Sequence, residues 1–566
     1  MDNQEKRHQP KDTHSPISKY ILVNMLLFAM CISSTTAHAQ DKTAEIDKVF
    51  SWATNNSPGC ACAVSKNGKL LVNKAYGLAD VHRTVAITNT TVFDIASIQK
   101  QFVAAAVLML EKEGRLSLSD DVRKHIPQLP IYGHKITIDH LLTHTSGLRD
   151  WTGILPLSED KPDAMTLILR QEGLNFEPGE EWSYSNSGYV LLKEIIARKS
   201  GMTIDEFLRK RIFVPLGMKS SQYLSNLRDS VKDRALAYEK QGDGWKLDIK
   251  LDNDRGGGGA MLSNPHDLII WNDALANNKL GKLITQKLQE AARLKNGRRI
   301  GYARGLYLDQ DRNNRVIWHT GGSAGYGSVL VRFPDQDLSI AIACNSGDEG
   351  NRLLAVRRIF DLFAPDRDTT KRSPGSPDQN FSVAIDPEDL KAKEGLFFNE
   401  RTNQPLRLGI SNGRLRVVNG GPLVTIDKDR FRNPDSQLSF FSNDKFEIHF
   451  ISKDQFELKT IEGKVTRYRR AKAFRPTANE LQAFVGRYKS DEIGGYFELS
   501  VLSNALMGRV NEGAAPGFPL TPVDTDAFQL SNVMVRFLRD SAGKVIALEY
   551  SNPVVRKVQF KKILPK

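Results

Sequence analysis

Apolar positions at the start of the folded region come in strand-length runs. Cys60 to Val64 is followed by the turn residues Lys66-Asn67-Gly68 and a second run from Leu70 to Tyr76, which predicts a β-hairpin. A long stretch with helical spacing comes next, broken repeatedly by Gly and Pro. Strand patterning returns at Val316-Ile317-Trp318. It continues at Ser328–Phe333 and Leu338–Asn345, which flank Pro334-Asp335-Gln336-Asp337, and a helix is expected over Asn351–Phe363. Strands at both ends with helices between them predict an α/β domain, its sheet closed by the two ends of the segment, beside an all-α part.

The rhythm changes after Phe363. Residues 365–384 are rich in Pro, Ser, Gly and charge and read as a linker. Beyond them, short alternating strands replace helical spacing, and two blocks recur in the same order. Leu390-x-Ala392-x-x-Gly395-x-Phe397 returns as Leu481-x-Ala483-x-x-Gly486-x-Tyr488. Pro422-Leu423-x-x-Ile426-Asp427-x-Asp429-x-Phe431 returns as Pro519-Leu520-x-x-Val523-Asp524-x-Asp526-x-Phe528. The repeat predicts a duplicated β-domain of about 90 residues per copy, at 385–474 and 475–566. Closing each copy into a lipocalin-like barrel would remove its strand edges. Neither copy carries a cluster of catalytic residue types, so a structural or substrate-restricting role is expected of both.

The first 39 residues read as a signal peptide. Lys6, Arg7, Lys11 and Lys19 precede the apolar run Ile21–Ile32, and Ala37-His38-Ala39 follows as a small-x-small cleavage site. That run is shorter than the roughly 20 residues of a bilayer-spanning helix, so an exported protein, periplasmic or secreted and without stable membrane insertion, is expected. The net charge of +13 is spread along the chain without a dense basic stripe or a nucleic-acid-binding motif, which argues against a nucleic-acid partner. The mature chain keeps Cys60, Cys62 and Cys344. This odd count leaves at least one thiol outside any internal disulfide, and Cys60 and Cys62, on one face of a strand, are expected as small buried residues.

Candidate chemistry begins at Ser97-Ile98-Gln99-Lys100. Ser-x-x-Lys also occurs at Ser158/Lys161, Ser442/Lys445 and Ser541/Lys544, but only Ser97 opens an apolar helix, running through Phe102 to Leu110 and stopping at Gly114. Residues three apart share a helix face, so the Lys100 amine can reach the Ser97 hydroxyl. Burial would lower the lysine pKa and make it a proton acceptor. The helix N-terminus would add positive potential and a free N–H for an oxyanion. Two further segments offer partners. Tyr184-Ser185-Asn186 precedes a helix expected over Gly188–Lys199. The strand Val316-Ile317-Trp318 runs into His319-Thr320-Gly321-Gly322, whose glycines would let a substrate backbone approach closely.

Ser-x-x-Lys, Tyr-x-Asn and His-Thr-Gly in this order and spacing resemble the signature elements of serine β-lactamases of class C and of the related penicillin-binding proteins, D,D-peptidases, D-aminopeptidases and esterases. Leu141-Leu142-Thr143-His144-Thr145-Ser146-Gly147-Leu148 and Gly258-Gly259-Ala260-Met261-Leu262-Ser263 resemble further segments common there. The resemblance spans Lys42–Phe363 and implies a β-lactamase/transpeptidase-like catalytic domain at 40–364. It implies Ser97 as the acylated nucleophile, Lys100 and Tyr184 as its proton-transfer network, and Asn186 as a hydrogen-bonding partner. His319 and Thr320 would line a strand edge, with the N–H groups of Ser97 and Gly322 as oxyanion hole. Which of Lys100 and Tyr184 is the base stays open.

His319 stands where class C β-lactamases have lysine, and in this it resembles D,D-carboxypeptidases and D-aminopeptidases. The plan of a catalytic domain followed by two β-domains is also similar to that of the D-aminopeptidases, in which a β-domain reaches the cleft. Asn511–Phe518 is the candidate reaching loop. The expected function is hydrolysis, through an acyl-enzyme, of amide bonds in peptides containing D-amino acids. The alternatives are an esterase or amidase on small molecules, a β-lactamase, or an inactive binder of cell-wall peptides. No cofactor or metal is expected. His140 and His144 have helical metal spacing, but Leu141 stands where zinc proteases need glutamate. Gly256–Gly259 lacks the Gly-Lys-Ser/Thr of a phosphate cradle, and Pro265 and Asp267 are expected to start the next helix.

Overall fold

The computed structural model describes residues 42–225, 229–248, 259–311, 314–347, 351–363, 385–418, 422–433, 446–460, 463–472, 474–513 and 517–563. The expected signal peptide, the linker at 365–384, Gly256–Gly258 and the Ser442/Lys445 pair lie outside the described residues. Residues 42–49 form a helix within a separate N-terminal unit that ends at Trp52.

The central sheet has six strands: β1 (Cys60–Lys66), β2 (Lys69–Tyr76), β3 (Tyr307–Asp311), β4 (Asn314–Ser323), β5 (Tyr326–Phe333) and β6 (Leu338–Cys344), in the order β3-β4-β5-β6-β1-β2. Every neighbouring pair is antiparallel, and β6 lies directly beside β1, so the two ends of the segment close the sheet as the pattern predicts. β5 and β6 are buried along their whole length, as expected of strands covered on both faces. Between β2 and β3 the chain is mainly helical. Helix α1 (Gln99–Lys112) is buried from Lys100 to Leu110, with its Phe102 ring 4.2 Å from Trp271. Helix α2 is Ile138–Leu142, α3 is Asn186–Ser200 and α4 is Pro265–Ala276, capped by Asn264, whose side chain accepts from the Asp267 N–H. Helix α5 (Arg352–Phe363) packs on β5 and β6.

One cysteine departs from expectation. Cys60 stands opposite Cys344 in the β1–β6 register, and the two form a disulfide, leaving Cys62 as a buried free thiol. The partner lies 284 residues away, so only the closure of the sheet by its ends could have revealed the pair.

The C-terminal region forms two eight-stranded sheets. The strands between Gly395 and Arg470 make a nearly closed barrel, and those between Gly486 and Ile563 a closed one in which Gly486–Ser490 pairs with Val555–Ile563. The repeated blocks fall at equivalent places. Gly395 and Gly486 each begin the first strand of a sheet, at φ +150° and +142°, a backbone region that favours glycine. Each Pro-Leu block builds the hairpin that ends at Phe431 or Phe528, both buried in a barrel interior. The interior of the second barrel and the helical region share one contiguous apolar cluster, whereas the first barrel keeps its own.

Candidate active site

Ser97 sits on the turn Ala96–Ile98, directly ahead of α1. The turn is held from two sides. The Asp94 carboxylate accepts from the Ala96 N–H at 2.8 Å, and Ala96 takes the left-handed φ of +46°. The preceding carbonyl, that of Ile95, receives the Ser328 hydroxyl at 3.0 Å from β5. A non-glycine residue at positive φ stores strain, here immediately beside the candidate nucleophile.

Lys100 lies one turn along. Its Nζ is 3.1 Å from Ser97 Oγ and 2.9 Å from Asn186 Oδ1, at the start of α3. The amide of Asn186 is oriented by Asp150, whose Oδ2 accepts from Asn186 Nδ2 at 3.1 Å and from the Asn186 N–H at 2.5 Å. Lys100 is only 4% exposed. Burial brings its pKa down to about 7, opposed by the nearby charge of Asp150. The Tyr184 hydroxyl is buried without a hydrogen-bond partner of good geometry, although Ser97 lies close enough to favour its ionised form. Burial outweighs this and pushes the phenol above its ordinary value.

His319 occupies a different setting from the one the motif suggests. It is 2% exposed, and both ring nitrogens are engaged: Nδ1 lies 2.6 Å from the Thr320 carbonyl and Nε2 lies 3.3 Å from the Tyr302 hydroxyl. Tyr302 meets His144 Nε2 at 3.1 Å, and the Ser185 N–H donates to His144 Nδ1 at 3.1 Å. One proton arrangement satisfies all four contacts. His144 accepts at Nδ1 and donates from Nε2 to Tyr302, which donates to His319 Nε2, while His319 Nδ1–H donates to Thr320. Burial, reinforced by the Lys100 charge, brings the His319 pKa down to about 3, and His144 is likewise driven well below its usual range. Both are neutral hydrogen-bonding struts.

Strand β3 pairs with β4 only as far as Trp318, so among the described residues no strand covers the outer edge of β4 from His319 to Ser323. The two glycines there differ. A Cβ on Gly321 would stand 2.1 Å from the Ile95 carbonyl oxygen, whereas one on Gly322 would meet nothing within 4 Å. Gly321 therefore lets β4 seat against the Ser97 turn. Gly322 opens on a cleft of about 250 Å³, lined also by Ser97, Lys100, Asn186, Trp151 and Lys193.

The structure thus brings Ser97, Lys100, Asn186 and Gly322 onto one cleft, sets Tyr184 beside Ser97, and buries His319 on the strand that leads to Gly322, with Thr320 half-buried next to it. The competing Ser-x-x-Lys pairs are not built this way: Ser158 bonds Asp160, and Lys161 bonds the carbonyls of Leu155 and Pro156. His140 Nδ1 accepts from the Thr137 N–H in its own helix cap, while His144 turns into the tyrosine cluster. Sequence reasoning missed Asp150 and Tyr302. Neither has a periodic signal, because their partners Asn186, His144 and His319 reach them only in the folded chain. It also missed Asp94 and Lys193, which line the same cleft.

A catalytic-type sheet, a helical region and a Ser-Lys-Asn cluster between them define a domain of the β-lactamase/transpeptidase-like class. The chain belongs to the Beta-lactamase family, whose profile matches residues 43–362, more than half of its length, and with it to the serine β-lactamase and penicillin-binding-protein-like hydrolases. It is 28% identical over 348 residues to penicillin-binding protein 4* of Bacillus subtilis (strain 168), covering 57% of this chain and 76% of that protein. It is 29% identical over 329 residues to protein flp of Staphylococcus aureus (strain N315), covering 56% of this chain and 65% of flp. Among solved structures, D-amino acid amidase from Ochrobactrum anthropi SV3 complexed with L-phenylalanine aligns over 56% of this chain and 98% of its own, at 23% identity and a TM-score of 0.48. The octameric penicillin-binding protein homologue from Pyrococcus abyssi covers 77% of this chain and all of its own, at 21% identity and a TM-score of 0.49.

Proposed function

We propose that this protein is a serine hydrolase that cleaves amide bonds of small peptides containing D-amino acids through an acyl-enzyme on Ser97. The observation that carries the reading is the buried Lys100 amine, 3.1 Å from Ser97 Oγ and with a pKa near 7. An amine of that kind takes the serine proton at neutral pH while remaining basic enough to drive the transfer. Ser97 Oγ then attacks the carbonyl carbon, and the oxyanion is met by the N–H groups of Ser97 and Gly322. The Tyr184 hydroxyl, held protonated by burial, suits relay of the proton to the leaving amine, which departs as the acyl-enzyme forms. Water releases the acyl group in the reverse sense. Lys100, with Tyr184 as relay, is thus the base of this reading.

The D-peptide assignment rests on the resemblance described above, and the cleft is compatible with it. Asp94 and Lys193 give its wall a carboxyl group and a second amine, burial holding the carboxyl pKa up to about 6 and that of the amine down to about 7. Val103, Trp151 and Val190 add apolar surface among the polar Gln99, Thr152 and Ser323, and the second reading is an esterase or amidase on small molecules.

An exported protein fits this role. The N-terminal charge and apolar pattern supports export, as does the Cys60–Cys344 disulfide, a link that persists in oxidising compartments. Among the described residues no helix is long and apolar enough to cross a membrane. The domain boundaries at 364/365 and 384/385 and the division at 474/475 belong to the same proposal.

The test compares wild type with Ser97→Ala on a D-alanyl p-nitroanilide and on a short p-nitrophenyl ester. Nitroanilide cleavage that disappears in the variant is the expected result. Ester cleavage alone, lost in the variant, selects the second reading. Activity that survives Ser97→Ala overturns both.

A further inference from the structure

The second barrel meets the catalytic region at several points, one of them a single turn. Strands Val545–Asn552 and Val555–Ile563 are joined at Pro553-Val554, and this turn lies against the segment Arg149–Gly153. The Val554 carbonyl accepts from the Asp150 N–H at 3.3 Å and from Asn175 Nδ2 at 2.9 Å. Asn552 Nδ2 donates to the Gly153 carbonyl at 3.0 Å, and Asn552 Oδ1 accepts from the Val554 N–H at 3.0 Å, which keeps the turn in shape. Gly153 has no room for a side chain: a Cβ there would stand 2.8 Å from Val554 Cγ2 and 2.9 Å from Asn552 Nδ2. Beside it, the buried Arg149 guanidinium bonds Glu492 at 2.8 Å and the carbonyls of Arg556 and Lys557 at 3.1 Å, all in the second barrel.

The same segment faces the reacting groups on its other side. Ser187 accepts from the Trp151 N–H and donates to the Arg149 carbonyl, and Asp150 Oδ2 takes both Asn186 bonds. Asn186 presents Oδ1 to Lys100 because its Nδ2 is spent on a carboxylate that can only accept. We propose that the Asn552–Val555 turn of the second barrel is a positioning element of the active site, holding Asp150 against Asn186 and thereby fixing the Lys100 amine beside Ser97.

Asn511, at the start of the loop expected to reach the cleft (Asn511–Phe518), is engaged elsewhere: it bonds the Leu157 carbonyl and the Tyr496 N–H. Lys100 is surrounded by Ser97, Asn186, Asp150, Tyr184, Tyr189, His144, His319 and Lys193. Of these, Asp150 supplies the negative charge that opposes burial at Lys100. Moving it away lowers the proton affinity of the amine, because only the charged form loses an attraction.

The inference rests on Lys100 as base, but its test does not require turnover. In the full-length protein, the pH dependence of Lys100 acetylation by trace acetic anhydride, read by mass spectrometry, reports the titration of that amine. Asn552→Ala removes both turn bonds and is expected to move the midpoint down by about one pH unit, with about a tenfold loss in the rate of Ser97 acylation by a p-nitrophenyl ester on the alkaline plateau, where the amine is neutral in both proteins. Asp150→Asn should lower the midpoint further, and Asn552→Ala should add nothing on that background. Gly153→Ala, which presses the turn away from the opposite side with one methyl group, is the second variant and should act like Asn552→Ala. A lower melting temperature with an unmoved Lys100 midpoint in whichever variant folds, or full additivity with Asp150→Asn, overturns the proposal. Hydrolysis surviving Ser97→Ala while the midpoint still moves would instead overturn the assigned function and leave the positioning role standing.

Discussion

A side chain on Gly321 would place its first carbon 2.1 Å from the carbonyl oxygen of Ile95, two residues before Ser97. The strand that carries the His-Thr-Gly-Gly segment and the turn that carries the candidate nucleophile are therefore in backbone contact, with Ser328 bonding the same carbonyl. Gly321→Ala cannot be accommodated by a side-chain shift, because the obstacle is main chain. It should lower the melting temperature and cut acylation by about a hundredfold or more, since misplacement by an ångström costs on that scale. Gly322→Ala, facing open space, should leave the melting temperature unchanged and act through KM as the cleft narrows. Thermal melts and steady-state kinetics on the two single variants check this, and equal effects would contradict it.

The Lys100 amine gives the activity a defined pH dependence. Burial brings its pKa down to about 7, and the neutral amine is the form that accepts the serine proton. The rate of acylation should fall about tenfold per pH unit below roughly pH 7 and level off above it. His319, with a pKa near 3, should add no limb between pH 4 and 8. Tyr184 is pushed upward by burial, so a phenolate base would instead give a rate still climbing above pH 10. A pH profile of kcat/KM on an ester with a non-titrating leaving group separates the two.

The sequence made the active-site backbone legible wherever chemistry coincides with a local pattern. Ser97 and Lys100 share a helix face, the apolar run behind them announces burial, and the Asn67-Gly68 hairpin and the duplicated Gly395 and Gly486 blocks follow from turn and strand rules. Contacts between segments distant in the chain were not legible. Asp150 has no meaning until it meets Asn186, Tyr302 until it stands between two histidines, and Cys60 until β6 folds back onto β1. The β-domains were recognisable as a repeat, but nothing in the pattern said that one turn near Val554 would touch the catalytic region.

The disulfide between Cys60 and Cys344 ties the two ends of the central sheet across 284 residues. Removing a link of that kind costs about 2–5 kcal/mol, largely by freeing the unfolded chain. Reduction of the native protein, or Cys344→Ser, should lower the melting temperature by several degrees and leave the pH profile of activity in place, because neither sulfur lines the cleft. Cys62→Ser should also destabilise, by about 1–3 kcal/mol, since it buries a hydroxyl where a thiol packs among apolar residues. Melts with and without reductant distinguish the pair from the single thiol.

Tyr302 is the hinge of the neutral hydrogen-bond chain that runs from the Ser185 N–H through His144 to His319 and Thr320. Tyr302→Phe keeps the ring in its cluster with His144, Trp182 and Tyr307 but removes the hydroxyl that serves both histidines. One buried donor on His144 and one buried acceptor on His319 are then left unpaired, at a cost of about 1–3 kcal/mol for each. His319 is free to change tautomer or rotate, and with it the β4 edge that leads to Gly322. The variant should melt several degrees lower and lose about ten- to a hundredfold in kcat with little change in KM, because the edge is needed most as the oxyanion forms. Changing both Tyr302→Phe and His144→Phe removes the orphaned His144 donor but strips the buried Ser185 N–H of its acceptor, and should recover neither stability nor activity. Recovery of activity along with stability would show that His319 needs no fixed orientation, and that its place on β4 serves packing alone.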